Sequence, residues 1–217
     1  MIGFLMTIIV NGQDKKISLG ISGSLDFYKY QFNDILDNSH SYKNRINYST
    51  GLTLNYNFNE KFAVKTGLLL STKGYILDYN WILIDPSDPA IPSESNMKLS
   101  YLDIPLWVSY NYLKIGKLTL LASTGVVTSL LINEKEVSTM GDGSIKETDF
   151  AKKLLLQKLN STLLAIEIEL GLKYNINDKI FISLEPYFRH GLNKISDDVL
   201  KSNPNSYGAN LGFHIYL

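Results

Sequence analysis

The chain has no cysteine, which removes disulfide frameworks, thiolate nucleophiles and cysteine metal sites together. No sign of charge is in excess: 21 Lys and Arg face 21 Asp and Glu. Neither the basic footprint of a nucleic-acid binder nor the acidic block of a disordered tail is present. No stretch approaches the roughly 20 consecutive apolar residues of a membrane helix. The three histidines show no metal-ligand spacing, and no glycine pattern resembles a phosphate-binding loop. Cofactors, metals and nucleic acid are therefore not expected.

What is present is alternation. In 46–57, Ile46, Tyr48, Leu52, Leu54 and Tyr56 share one parity, while Asn47, Ser49, Gly51, Thr53, Asn55 and Asn57 share the other. Successive side chains of a strand point to opposite faces, so one face is apolar and the other small and polar. The same template gives eight strands over about 17–28, 46–57, 62–80, 99–112, 118–131, 162–175, 180–190 and 206–217. Each is long enough, at about 10 residues or more, to cross an outer membrane at a tilt. Pro105 and Pro186 fall inside two of them and each removes a ladder donor, so local irregularity is expected there.

Met1 to Val10 is apolar, too short to span a bilayer but of the length of a signal-peptide core. It lacks the usual basic n-region, so two readings stand: a truncated signal segment over 1–12 or a buried strand. Export is the expectation, with residues 13–217 forming a single barrel domain. The connections near 58–61, 113–117 and 175–179 are short. Those over 29–45, 81–98, 132–161 and 191–205 are long. Short turns on one rim and long loops on the other are the habit of transmembrane barrels, with both termini on the periplasmic side.

Aromatic residues fall at both ends of the strands. Tyr56, Phe58, Phe62, Tyr110, Tyr112 and Tyr174 lie beside the short turns, whereas Tyr28, Tyr48, Tyr75, Trp81, Phe188 and Tyr207 lie towards the long loops. Amphipathic rings gather at both edges of a hydrocarbon slab, although strands favour aromatics anywhere.

A soluble, lipocalin-like ligand-binding barrel has the same period with the faces exchanged, so alternation alone does not separate the two. A calyx exterior would be rich in Lys and Glu throughout. Here the polar face is mostly Ser, Gly, Asn and Thr, which suits a crowded interior of an eight-stranded barrel. The apolar face is therefore set against outer-membrane lipid. Lys65, Lys73, Glu167, Glu169, Lys173, Glu185 and Arg189 then point into the lumen, where Asp26 and Asp103 are placed to join them. Charges so confined must pair or stay wetted, since an isolated desolvated charge costs several kcal/mol. The expected product is a structural salt-bridge network that fills the barrel; a proton or ion path along the carboxylates is the functional alternative.

The segments YLDIPLWVSYNY (residues 101–112), GLKYNINDK (171–179) and YFRHGLNKIS (187–196) resemble the PorT-like outer-membrane β-barrel family, small eight-stranded barrels of Gram-negative bacteria. The resemblance implies a cleaved signal sequence and, for most members, no assigned chemistry; one member takes part in protein secretion. No reaction is read from the residues themselves. His40 with Asp37, Ser39 and Ser41 is the nearest approach to a nucleophile and base, yet such residues serve turns in any polar loop. His190 lies at the outer end of its strand and His214 on the lumen face. Residues 148–162 carry a candidate short amphipathic helix with Thr148 or Asp149 as N-cap, unless the following strand begins early. Asp142 between two glycines reads as a turn. The expected function is a monomeric, non-enzymatic outer-membrane barrel that acts as a structural or interaction platform towards an envelope or extracellular protein. The alternatives are a subunit of an envelope secretion or assembly machine and the soluble calyx.

Overall fold

The two-residue period emerges in a computed structural model as one antiparallel sheet; the structure describes residues 16–31, 40–43, 45–79, 92–148, 159–196 and 203–217. In chain order the strands are β1 (Ile17–Lys29), β2 (His40–Lys43), β3 (Ile46–Asn57), β4 (Phe62–Lys73), β5 (Ile76–Tyr79) and β6 (Pro92–Ile115). They continue with β7 (Leu118–Met140), β8 (Ile145–Thr148), β9 (Thr162–Asn175), β10 (Ile180–Gly191) and β11 (Asn205–Tyr216). Eight of them, β1, β3, β4, β6, β7, β9, β10 and β11, pair in sequence order, and β1 pairs β11 from Ser18↔Tyr216 to Lys29↔Asn205. That last pairing closes the ring and leaves no open edge in it, the condition for strands to sit in hydrocarbon.

The facing follows the parity. Leu52, Leu68, Leu106, Ile168, Leu184 and Leu211 are exposed on the outer wall. Glu167, Glu169, Glu185, Lys65, Lys73 and Arg189 are buried inside it. This is the reverse of a calyx, so the soluble alternative is set aside.

Three short turns join the inner ends. Asn59 Oδ1 accepts from the backbone of Lys61 and Phe62, and Asn177 Oδ1 accepts from Lys179 and Ile180, which turns the chain by the same side-chain device twice. Gly116, at φ 57°, supplies the left-handed residue of the third. At the outer end the chain departs from expectation. β6 begins at Pro92 and β7 runs to Met140, so residues 92–98 and 132–140 are strand rather than loop. Ser100 faces Asn133 while Tyr101 faces Leu131, which makes Ile132 the extra residue of a bulge. A bulge reverses the parity of the residues beyond it, and a two-residue template loses the strand at that point. The expected strand over 62–80 is likewise two, divided at Gly74 and Tyr75.

Beyond the ring, β2, β5, β6, β7 and β8 form a second, projecting part of the sheet. Lys43 reaches Asp78 at 2.6 Å and Glu94 at 3.5 Å, and Lys135 pairs with Glu147 across the β7–β8 ladder. The turn between β7 and β8 contains Gly143 at φ 80°, and Asp142 Oδ1 accepts from the Ser144 amide, the turn role expected of that acid.

Both prolines interrupt a ladder on one side only. Between β4 and β6 the pairing steps from Thr66↔Leu106 to Leu69↔Asp103, and between β9 and β10 from Leu184↔Leu172 to Tyr187↔Glu169. The Thr66 hydroxyl donates to the Pro105 carbonyl at 2.7 Å and partly mends the first gap. Segment 1–12, Trp81, Asp37, Ser39 and residues 149–158 of the candidate helix lie outside the described residues, and its last part is bridge and strand, with Leu159 facing Ser196 and β9 starting at Thr162.

Candidate functional site in the lumen

The lumen is filled in layers, and each layer is fixed by the register of facing strands. At its outer end Tyr75, Met97, Leu99, Tyr101, Leu163 and Ile195 form an apolar cluster. Ile195 comes from the connection after β10, which is held down where Asn160 donates its side-chain amide to the Lys194 carbonyl at 2.9 Å. Tyr28 and Tyr75, assigned by sequence to the outer aromatic zone, are buried here instead. Their positions on the inward parity decide this, and Tyr48, Phe188 and Tyr207 are left as the exposed outer rings.

Below the apolar cluster lie the charges. Lys73 Nζ sits 2.8 and 2.9 Å from the two oxygens of Asp103 and 2.8 Å from Ser71 Oγ. Arg189 donates from Nε to Glu167 at 2.5 Å and has Nη1 3.5 Å from Asp103. The second oxygen of Glu167 accepts from the Trp107 indole at 2.8 Å. The next layer centres on Lys65, whose ammonium lies 2.7 Å from Glu169, pairs with Glu185, and rests 4.3 Å from the centroid of the Trp107 ring. Asn210 donates to the other oxygen of Glu169 at 3.1 Å. Asp26 is served by hydroxyls, those of Ser24 at 3.0 Å and Tyr187. Glu167 and Glu169 are 0% exposed, so every lone pair left unserved would carry a desolvation cost; the layering supplies partners from several strands at once.

Of the seven charged residues picked out by sequence, six meet in these two layers. Lys173 does not lie between them: it is half-buried at the inner mouth, its ammonium 4.1 Å from the Phe181 ring centroid and 5.1 Å from that of Tyr216. Trp107, Tyr187 and Asn210 were not singled out by sequence. Their signal was available in parity alone, since Trp107 lies four residues from Asp103 and Tyr187 two from Glu185, on the inward face.

Little space remains. A void of about 10 Å³ borders Lys65, Trp107 and Glu185, one of about 30 Å³ lies nearer the inner mouth beside His214, and one of about 20 Å³ lies by Lys73 and Arg189. Each is on the scale of one or two waters. Three cations, Lys65, Lys73 and Arg189, are interleaved with five acids, Asp26, Asp103, Glu167, Glu169 and Glu185, so the arrangement pairs charge and stiffens the wall rather than offering a reacting group to a substrate. His214 lies on the lumen face, with Nδ1 3.2 Å from Asn55 Nδ2 and its ring stacked on Phe181. His190 Nδ1 is 2.6 Å from Asn205 Oδ1 at the outer rim. Among the described residues no group of His, Asp and Glu is arranged to hold a metal.

A family model described as "Outer membrane protein beta-barrel domain" matches residues 11–197, well over half of the chain. Neisserial surface protein A is similar in structure at a TM-score of 0.52 and 12% identity, over 95% of this chain and 99% of that one. The outer membrane protein OprG from Pseudomonas aeruginosa is similar at a TM-score of 0.52 and 14% identity, over 94% and 97%. At these identities the likeness is one of fold. No curated protein matches the chain.

Proposed function

The chain belongs to the outer membrane protein β-barrel domain family and resides in the outer membrane, and from that premise we propose that it is a non-enzymatic platform whose projecting outer segments engage another macromolecule. The observation that carries this reading is the filled lumen. With Lys65, Glu169, Glu185, Trp107, Glu167 and Arg189 in mutual contact and an apolar cluster above them, solute has no path through the ring. On the outer side, what is left to meet a partner is the part of the sheet beyond the ring, stiffened by its own ion pairs. The barrel stands as a monomer in lipid, and its segments at 101–112, 171–179 and 187–196 resemble those of the PorT-like barrels.

Two measurements test this. Reconstituted in planar bilayers, the barrel gives no steady open conductance. In native membranes, the intact chain captures an extracellular or outer-face envelope protein that is lost when residues 135–147 are replaced by a short glycine-containing turn. A stable conductance in the wild type, or capture unaffected by the replacement, overturns the reading.

A further inference from the structure

The inner end of the barrel is built differently from the outer. A cavity of about 680 Å³ opens there, among the turn at 58–61 and the inner ends of β6, β7, β9 and β11. Lys16, Lys61, Lys114 and Lys173 line it, with Glu60 the acidic residue among its walls. Lys117 and Lys179 stand exposed on the neighbouring turns, with the exposed Asp178 next to Lys179 in the chain. The chain as a whole has a net charge of zero, so this excess of lysine is an arrangement and not a consequence of composition. At the outer end Lys43 and Lys135 pair across strands with Asp78, Glu94 and Glu147, and at the inner end Lys117 donates to the Ile176 carbonyl at 3.1 Å.

Three features narrow what the cavity accepts. Behind it lie voids of about 30 and 10 Å³ and the packed layer around Lys65, so it is a blind vestibule and its occupant does not pass through. Its lysines come from four separate stretches of chain and surround a volume far larger than one phosphate or carboxylate, which fits an extended ligand with several anionic groups. The cavity is walled by strand ends and turns of the ring, and Phe58 and Tyr112 line it beside the lysines, which offers a ligand apolar contact next to the charge.

We infer that the inner mouth docks an acidic segment of a periplasmic protein, with carboxylates set against Lys61, Lys114 and Lys173. The rings of Phe181 and Tyr216 hold the Lys173 ammonium at the floor, and the outer lysines steer approach and make binding weaken with salt. This site faces away from the outer segments and does not depend on what they bind.

The test uses the full chain in phosphatidylcholine nanodiscs, with fluorescein-labelled hexaglutamate as the probe and fluorescence anisotropy as the readout. Saturable binding at low ionic strength is expected, falling by about tenfold or more in the double variant Lys61→Glu, Lys114→Glu and unchanged in Lys135→Glu at the outer end. Both inner positions are exposed, and heat-modifiable migration verifies that each variant barrel is folded. Absence of wild-type binding overturns the inference, as does an equal loss in Lys135→Glu. So does displacement by inorganic phosphate at the peptide's own concentration, which would mark a small-anion site. Displacement by a short-chain, water-soluble phosphatidylglycerol at the peptide's own concentration would assign the lysines to lipid headgroups and overturn it as well.

Discussion

Trp107 donates its indole N–H to Glu167 at 2.8 Å across Gly125, the residue that faces each of them in the sheet. A Cβ at Gly125 would lie 2.1 Å from the Leu106 carbonyl oxygen and 2.7 Å from the Trp107 Cα, so the row exists because the middle position has no side chain. The bond joins β6 to β9 over the intervening β7 and turns three strands into one unit.

Gly125→Ala is therefore expected to cost about 1 to 3 kcal/mol, since backbone atoms must move to admit the methyl group. Urea unfolding from lipid vesicles measures the loss, and Trp107 fluorescence in a Trp81→Phe background reports the displaced ring.

Glu167→Gln removes the charge that Arg189 faces while leaving an acceptor for Trp107. Breaking one partner of a buried pair is expected to cost about 3 to 5 kcal/mol. Adding Arg189→Gln should recover part of this in a double-mutant cycle, because the uncompensated guanidinium, not the lost contact, accounts for most of the cost. Equal and additive losses would contradict the pairing.

Lys65 serves two carboxylates, so Lys65→Met leaves Glu169 and Glu185 facing one another without a cation between them. A loss of at least about 3 to 5 kcal/mol is expected in vesicle unfolding. The triple variant with Glu169→Gln and Glu185→Gln should regain much of it, whereas Glu185→Gln with Lys65 intact should not stabilise the barrel.

The outer wall gives the complementary test. Ile168 is 55% exposed at the middle of β9, where hydrocarbon is deepest. Ile168→Arg is expected to cost about 2 to 4 kcal/mol, against a smaller loss of about 0.5 to 1.5 kcal/mol for Asn55→Ala, whose side chain donates to Ser18 inside. The same vesicle titration compares them, and equal tolerance would reverse the facing of the sheet.

The ring was legible in the sequence because lipid outside and packing inside impose opposite demands on successive residues. Strands such as 46–57 write that contrast out plainly. Legibility ended where the contrast ends. Past Ile132 the buried face of β7 carries Glu136, Ser138 and Met140, a mixed set without the apolar and polar contrast of the ring, so Glu134, Lys135 and Glu136 read as loop although they continue the ladder. In the lumen, parity brought the charged residues to one face but could not set their depth. Lys173 and Glu169 share a strand and a face, yet one stands at the mouth and the other beside Lys65. The partners contributed by Trp107 and Tyr187 were hidden for another reason: both lie on the inward parity, but neither carries a charge, so a search of that face for charged groups passes over them.

The two gaps beside Pro105 and Pro186 give the wall an uneven strength. Staves bound by an unbroken row of amides resist shear together, whereas these two joints lack rungs near mid-height. A cylinder made this way has preset lines of parting. Under tension or detergent stress it should open first along β4–β6 and β9–β10, releasing β6, β7 and β9 as one sheet from the remaining five strands.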